Sequence, residues 1–202
     1  MSEMSQNSSD LVPPLLLVAM PQILDPFFRH TVVLLLHHTD EGSFGLIVNR
    51  ETAITVADTL QGLEVSWRGT KEVPAFFGGP VQPQLGTVLF GTESRDHLPA
   101  TLEETGVQIG TDLWMSQSIK DLEHLADSPP DRFRLFLGYA GWEADQLVSE
   151  ILRNDWLTTA VDEGLLFRSD TAEIWQAGVR LAGIDPASLP RWTDNQGGNL
   201  AN

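Results

Sequence analysis

The residues best suited to ligand recognition in this sequence are an acid, an amide, a guanidinium and two glycines. Asn49 and Arg50 stand together at the end of a predicted strand, where they would present planar donors to a carboxylate or phosphate. Gly78 and Gly79 also follow a predicted strand, and their backbone amides could meet an anion. Together with Asp25, these residues form the candidate ligand-binding set.

Each of these candidates also has a purely structural interpretation. Asp25 precedes Pro26, which holds it extended, and its carboxylate can accept bonds from nearby amides in an Asx turn. The Gly78-Gly79 pair is typical of a tight turn that needs positive φ. For Asp25 and the glycines the structural interpretation is preferred. For Asn49-Arg50 a surface turn with an ion pair and an anion site are equally supported.

Motifs for nucleophilic, metal or phosphate-loop chemistry are missing from the sequence. There is no cysteine and no G-x-S-x-G elbow, and the Gly78-Gly79 segment matches neither nucleotide-binding pattern. His37 and His38 are adjacent, so on a strand they face opposite sides. His30, His97 and His124 have no partner at ligand spacing. We therefore predict no catalytic residue, no metal and no cofactor.

The charge of the chain disfavours nucleic acid as a direct partner. The formal net charge is −16, from 28 acids and 12 bases, and no segment is basic. Residues Met1 to Pro14 are polar and lack the basic start of a secretory signal. The longest aliphatic run, Val32 to Leu36, is too short to span a bilayer. With no cysteine either, a cytoplasmic protein is expected.

A further candidate is the segment from Gly138 to Trp142, in which two glycines bracket the only tyrosine. It ends a predicted strand just before the most regular amphipathic helix. Either the glycines allow close approach of two backbones while the aromatic rings pack, or the loop lines a pocket at the helix N-terminus. Glu143 and Asp145 would repel a second anion there, so packing is the preferred interpretation.

The periodicity predicts strands and helices that do not alternate regularly, which indicates an α+β fold with a mixed sheet. The clearest strand pair is a hairpin, 31–37 with 44–48, whose first strand should be covered on both faces. Helices are predicted after the capping residues Thr55, Ser118 and Asp170. Another has an apolar stripe formed by Ala144, Leu147, Val148, Ile151 and Leu152.

One domain is expected, spanning residues 15–190. The flanking segments 1–14 and 191–202 are polar and are predicted to be flexible, as is typical of Gly- and Asn-rich ends. A polar, irregular stretch is also expected between residues 93 and 110.

Several motifs, in order along the chain, resemble the AlgH/YqgE family of small bacterial proteins. The matching segments are Leu16 to Pro21, Asp25 to Phe28, Gly45 to Arg50, Gly78 to Val81, Gly138 to Trp142, Gln146-Leu147 and Asn154 to Leu157. The sequence departs from the family pattern at Glu51, where a proline is usual, and at Phe90, where a histidine is frequent.

The resemblance implies a single α+β domain with a bent, partly barrel-like sheet flanked by helices, and no established catalytic site. Members have been labelled transcriptional regulators through a genetic link to alginate production. We therefore expect a non-enzymatic regulatory or interaction protein that acts indirectly, through a protein partner or a small ligand. The alternative is a small-molecule-binding enzyme with a loop-built site near Asp25, Asn49, Arg50 and Gly79.

Overall fold

The structure is a computed structural model that describes residues 11–92, 102–168 and 170–190. The strands are β1 (Leu15–Ala19), β2 (Val32–Thr39), β3 (Gly42–Ile47), β4 (Glu51–Thr55), β5 (Pro74–Phe77), β6 (Val81–Gly91), β7 (Gly106–Gln108), β8 (Leu113–Ser116), β9 (Arg132–Glu143) and β10 (Trp156–Thr159). The helices are α1 (Val56–Gln61), α2 (Leu102–Thr105), α3 (Ile119–Asp127), α4 (Gln146–Leu152), α5 (Glu163–Leu166) and α6 (Thr171–Leu181), with a final 3-10 turn at Pro186–Ser188.

These strands form one curled, open sheet in the order β10-β1-β2-β3-β9-β6-β8-β7. Neighbouring strands are antiparallel, except that β5 runs parallel to β9 and also carries β4. Helices flank the sheet, and the single domain is α+β with a bent, partly barrel-like sheet, as the sequence predicted.

The β2–β3 hairpin forms the centre of the fold and is covered on both faces, which confirms the sequence prediction. Side chains alternate across a strand. Accordingly, Val32 and Leu34 lie in the cluster that includes Ile174 of α6. Val33 and Leu35 lie in the cluster that includes Leu147 of α4. Helix α6 therefore lies on the face of the sheet formed by β1, β2 and β10.

A glycine crossing, formed by Gly78-Gly79 and Gly138, brings two backbones into contact where β9 changes partner from β5 to β3. Gly79 has φ +152° and Gly138 has φ +70°. A Cβ on Gly79 would lie 2.1 Å from the carbonyl carbon of Tyr139, and one on Gly138 would lie 2.4 Å from the Gly79 oxygen. Only glycine fits at these two positions, which confirms positive φ at Gly79 and close backbone approach at Gly138.

The helix predictions are confirmed at two caps and wrong for one apolar stripe. Thr55 accepts from the Asp58 amide at the start of α1, and Asp170 accepts from the Ala172 amide at the start of α6. Helix α4 begins only at Gln146, because Asp145 is left-handed with φ 60°. Ala144, predicted to begin the stripe, therefore lies outside the helix, and Leu152, the last helical residue, is 60% exposed.

Most of the flexible ends predicted for residues 1–14 and 191–202 lie outside the described residues, as does the first part of the polar stretch 93–110. Within the described part of the chain, no helix has the length and apolar character that a membrane crossing requires.

Candidate functional site

The corner between β3 and β4 holds the segment Arg29–Val32 through two adjacent side chains. The Asn49 amide oxygen accepts from the Val32 backbone N–H at 2.9 Å, and its nitrogen donates to the His30 carbonyl at 2.9 Å. Arg50 Nη2 donates to the Arg29 carbonyl, also at 2.9 Å. The Asn49 side chain therefore stabilises the backbone of this segment, and Arg50 uses one side of its guanidinium for the same purpose.

His30 is held in an uncommon conformation by this corner. Its φ is 53°, in the left-handed region that a non-glycine residue seldom adopts. Its ring centroid lies 4.5 Å from the Trp175 ring. Burial lowers the pKa of His30, and the charges of Arg29 and Arg50 lower it further. The imidazole is consequently neutral at pH 7 and can donate one hydrogen bond and accept another.

Trp175 is presented by α6, which lies close to the sheet. Gly178, one turn further along, allows this approach, since a Cβ there would lie 3.1 Å from Val18 Cγ2. The Trp175 indole nitrogen donates to the Ala19 carbonyl at 2.7 Å, which fixes the orientation of the ring. The half-buried indole therefore forms a rigid wall rather than a mobile side chain.

Two adjacent cavities open along this wall, and we call them together the α6 groove. One has a volume of about 580 Å³ and is lined by His30, Asn49, Arg50, Glu51, Thr171, Ala172, Trp175 and Gln176. The other has a volume of about 470 Å³ and is lined by Pro21, His30, Trp175, Gln176, Arg180, Asp185, Pro186, Ala187, Leu189 and Pro190. Because they share His30, Trp175 and Gln176, the two cavities adjoin each other along α6.

The first cavity has a partly desolvated cation in its wall. Burial lowers the pKa of Arg50, and the charge of Asp25 opposes that shift. Among the residues that the structure describes, no carboxylate forms an ion pair with Arg50. Glu51 lines the same cavity and accepts a long bond of 3.4 Å from the Thr171 hydroxyl. An arginine at a cavity wall without a carboxylate partner favours an anionic guest.

A second arginine lies beneath the groove. Arg134 is 5% exposed and donates to the Val48 carbonyl at 2.5 Å and the Arg168 carbonyl at 2.6 Å. Its guanidinium lies 4.2 Å from the centroid of the Phe76 ring. Burial lowers its pKa to about 10, and the charge of Glu51 opposes the shift. Arg134 therefore joins the β3–β4 corner to the segment before α6 and offsets the charge of Glu51.

The structure brings together some of the predicted site residues and separates others. Asn49 and Arg50 line the groove, and Asp25 is close enough to influence Arg50 electrostatically. Asp25 Oδ1 accepts from the Phe27 amide at 2.8 Å, so the Asx turn preferred from sequence is present. Gly78 and Gly79 do not line either cavity of the groove and instead form the glycine crossing.

Sequence reasoning missed His30, Trp175 and Arg134 as parts of this site. In the sequence His30 has no partner at ligand spacing, and Trp175 is one of several apolar residues on the helix predicted after Asp170. The left-handed backbone that orients His30 leaves no sequence signal. Arg134 offered one, because it is a charged residue between the apolar residues Phe133 and Leu135 of a strand.

Metal chemistry has no candidate in this geometry. Across the described ranges, no three histidine or acidic side chains are clustered so that they could hold an ion. What the groove offers is hydrogen bonding from Arg50 and His30 beside an indole wall.

Comparison with known proteins places the chain in a family. A family model described as AlgH-like matches residues 16–187. A UPF0301 protein from Myxococcus xanthus is 39% identical over 178 residues, which cover 87% of this chain and 93% of the relative. A UPF0301 protein from Ralstonia nicotianae is also 39% identical, over 86% of this chain and 89% of its own.

Solved structures agree in fold. The solution structure of the AlgH protein from Pseudomonas aeruginosa has a TM-score of 0.70 at 32% identity, covering 90% of this chain and 94% of the other. A crystal structure of a Corynebacterium diphtheriae protein has a TM-score of 0.68 at 21% identity, with 85% and 87% covered, and shows the shared fold alone. The chain therefore belongs to the AlgH-like family.

Proposed function

We propose that this protein binds a small anionic molecule in the α6 groove, and that it acts through this ligand or a protein partner rather than by contacting DNA. The observation that carries the proposal is the Arg50 guanidinium, which is partly desolvated at a cavity wall and lacks an ion-pair partner among the described residues. The cytoplasm expected from the cysteine-free composition is the proposed setting.

The surroundings of Arg50 support an anion rather than a neutral ligand. One side of the guanidinium is fixed by the Arg29 carbonyl, so little conformational entropy is lost when the other side binds a carboxylate or phosphate. The negative charge of Glu51 is offset from beneath by Arg134. The cavity volume of about 580 Å³ lies within the roughly 300–1,000 Å³ of ordinary small-molecule sites.

The proposed indirect role agrees with the charge of the molecule. With a net charge of −16, the protein repels the phosphate backbone of DNA. A ligand-dependent change in a protein partner would account for regulation without DNA contact. Tight, sequence-selective gel shifts by the purified protein at physiological salt would contradict this role.

Anion binding can be tested by NMR titration with inorganic phosphate and with acetate. We expect saturable shifts of the Trp175 indole N–H and the His30 ring signals in the wild type. Arg50→Gln should weaken binding at least about tenfold, because a charge-assisted hydrogen bond contributes about 1.5–3 kcal/mol. Lys120→Gln, which removes the same charge from the exposed face of α3, is the matched control.

Two outcomes would contradict anion binding in the groove. One is equal weakening by Arg50→Gln and Lys120→Gln, which would indicate a general charge effect. The other is the absence of any shift at Trp175. If circular dichroism shows that Arg50→Gln is unfolded, Arg50→Lys replaces it in the titration, because lysine keeps the charge but not the planar donor pair.

An enzyme that uses the same groove is the second candidate. His30 favours it, because a neutral imidazole beside a bound phosphate ester can accept a proton from the water that attacks the phosphorus as the alcohol leaves. Release of p-nitrophenol from p-nitrophenyl phosphate by the wild type, and its loss in His30→Asn with phosphate binding retained, would support catalysis. An unreacted ester would leave binding as the activity.

A further inference from the structure

The two cavities of the α6 groove differ in chemistry, and we name them by that difference. The head lobe is the cavity at Arg50, whose wall carries the polar side chains of Asn49, Glu51 and Thr171. The tail lobe is the cavity beyond Trp175, whose wall carries Pro21, Pro186, Ala187, Leu189 and Pro190. A guest that fills both lobes must therefore be polar at one end and apolar at the other.

The polar groups of the tail lobe are occupied or peripheral. The Asp185 carboxylate accepts from the Ala187 backbone N–H at 2.9 Å and so caps the 3-10 turn. Arg180 lies on the exposed side of the last turn of α6, where its aliphatic stem can cover an apolar guest. Leu189 packs against the main core cluster, which ties the floor of this lobe to the fold.

The groove is long enough for an extended molecule. Its wall on α6 runs from Thr171 to Arg180, which corresponds to a rise of about 14 Å along a helix. Trp175 lies between the lobes, and its indole is held by the Ala19 carbonyl. A guest anchored in the head lobe must pass across this fixed apolar surface to reach the tail lobe.

Building on the proposed function, we infer that the ligand is an amphiphilic small acid. Its carboxylate or phosphate binds Arg50 in the head lobe, and its hydrocarbon chain or ring crosses Trp175 into the tail lobe. The acid is free in solution rather than part of a bilayer, because a chain with a net charge of −16 is repelled by anionic membrane surfaces.

The test is calorimetric titration with the straight-chain series acetate, butyrate, hexanoate and octanoate, each below its micellar concentration. Burial of each methylene contributes about 0.8 kcal/mol, so octanoate should bind on the order of a hundredfold more tightly than butyrate. 1-Octanol has the same chain without the charge and should bind at least about tenfold more weakly than octanoate.

Two matched substitutions separate the lobes. Ala187 and Ala172 are both exposed alanines, one in the tail lobe and one in the head lobe, so neither change disturbs the core. Ala187→Glu should abolish the gain from chain length while leaving acetate binding unchanged. Ala172→Glu should weaken every acid in the series, because it places a carboxylate beside the bound head group.

The outcomes distinguish this inference from the proposal on which it rests. Acetate binding that depends on Arg50 but does not strengthen with chain length would overturn the inference and leave anion binding intact. Equal affinities for octanol and octanoate, or no binding of any acid in the series, would overturn the inference, and the absence of a phosphate-induced shift at Trp175 as well would overturn the proposed function. A chain-length gain that survives Ala187→Glu would place the chain outside the tail lobe and overturn the inference.

Discussion

The glycine crossing and the Asn49-Arg50 corner both lie in segments by which the sequence resembles the AlgH-like family, but they have different roles. At the crossing, Gly79 and Gly138 bring two backbones so close that no side chain fits between them. At the corner, Asn49 and Arg50 also bind backbone, yet Arg50 keeps part of its guanidinium at a cavity wall. A glycine motif can therefore be wholly structural, whereas a neighbouring polar motif supports the fold and lines a groove.

The comparison shows that backbone hydrogen bonds do not by themselves exclude a functional role. The Asn49 amide forms hydrogen bonds with the backbone of Val32 and His30. This bonding helps to hold His30 in a strained backbone conformation at the groove. Strain of this kind persists only where the surroundings enforce it, and it is concentrated at functional sites. At the glycine crossing, by contrast, the contacts between the two backbones do not position a side chain in the groove.

The largest expected effect is the loss of stability caused by a substitution at the glycine crossing. Gly79→Ala should destabilise the protein by several kcal/mol, because strained φ and overpacking each cost about 1–3 kcal/mol. Urea unfolding followed by circular dichroism measures this loss. Gly86→Ala is the control, since a Cβ there meets Leu135 Cδ1 at an ordinary 3.7 Å. Equal free energies of unfolding for Gly79→Ala and Gly86→Ala would contradict this prediction, because they would show that the two backbones can move apart to accommodate a Cβ.

A smaller effect is expected at the corner. Asn49→Ala leaves the buried Val32 amide without its partner, which should cost about 1–3 kcal/mol. Hydrogen exchange should show faster exchange at Val32 than at Leu34. Gln108→Ala also removes two hydrogen bonds, both on an exposed loop, and should change stability by less than about 0.5 kcal/mol. Similar losses in the two variants would contradict a special role for the corner.

The smallest effect concerns pH. His30 has a folded-state pKa below its ordinary value of 6.5, so the unfolded chain binds more protons as pH falls below 6.5. Stability should therefore decrease from pH 6.5 towards the folded pKa, and His30→Asn should remove that part of the decrease. Unfolding midpoints at pH 7.5 and 5.5 measure it, with His124→Asn as control. The same pH dependence in wild type and His30→Asn would contradict a shifted His30.

The sequence predicted the fold well where a single local rule was sufficient. The aliphatic run 32–36 required a strand covered on both faces, and the Thr55 and Asp170 caps located two helices. It failed at the start of α4, where periodicity pointed to an apolar stripe beginning at Ala144 although the helix begins only after the left-handed Asp145. Backbone conformation at one residue, which periodicity does not encode, decided that difference.

The groove was only half predictable for a similar reason. Asn49 and Arg50 were recognisable as adjacent polar residues after a strand, but their partner Trp175 is more than a hundred residues away in sequence. Its position depends on how α6 crosses β1 and β2 at Gly178. His30 enters the groove because two distant side chains hold its backbone, a tertiary effect without a local signature.

The buried guanidinium of Arg134 has a mechanical consequence for the groove. One planar group spans the carbonyl of Val48, beside the Asn49-Arg50 corner, and that of Arg168, just before α6. The corner and the start of α6 cannot move apart without breaking a charge-assisted bond in the interior, so this one group limits how far the first cavity can widen. An ammonium group at this position has no such planar fork, and the corner and the helix would then be free to separate.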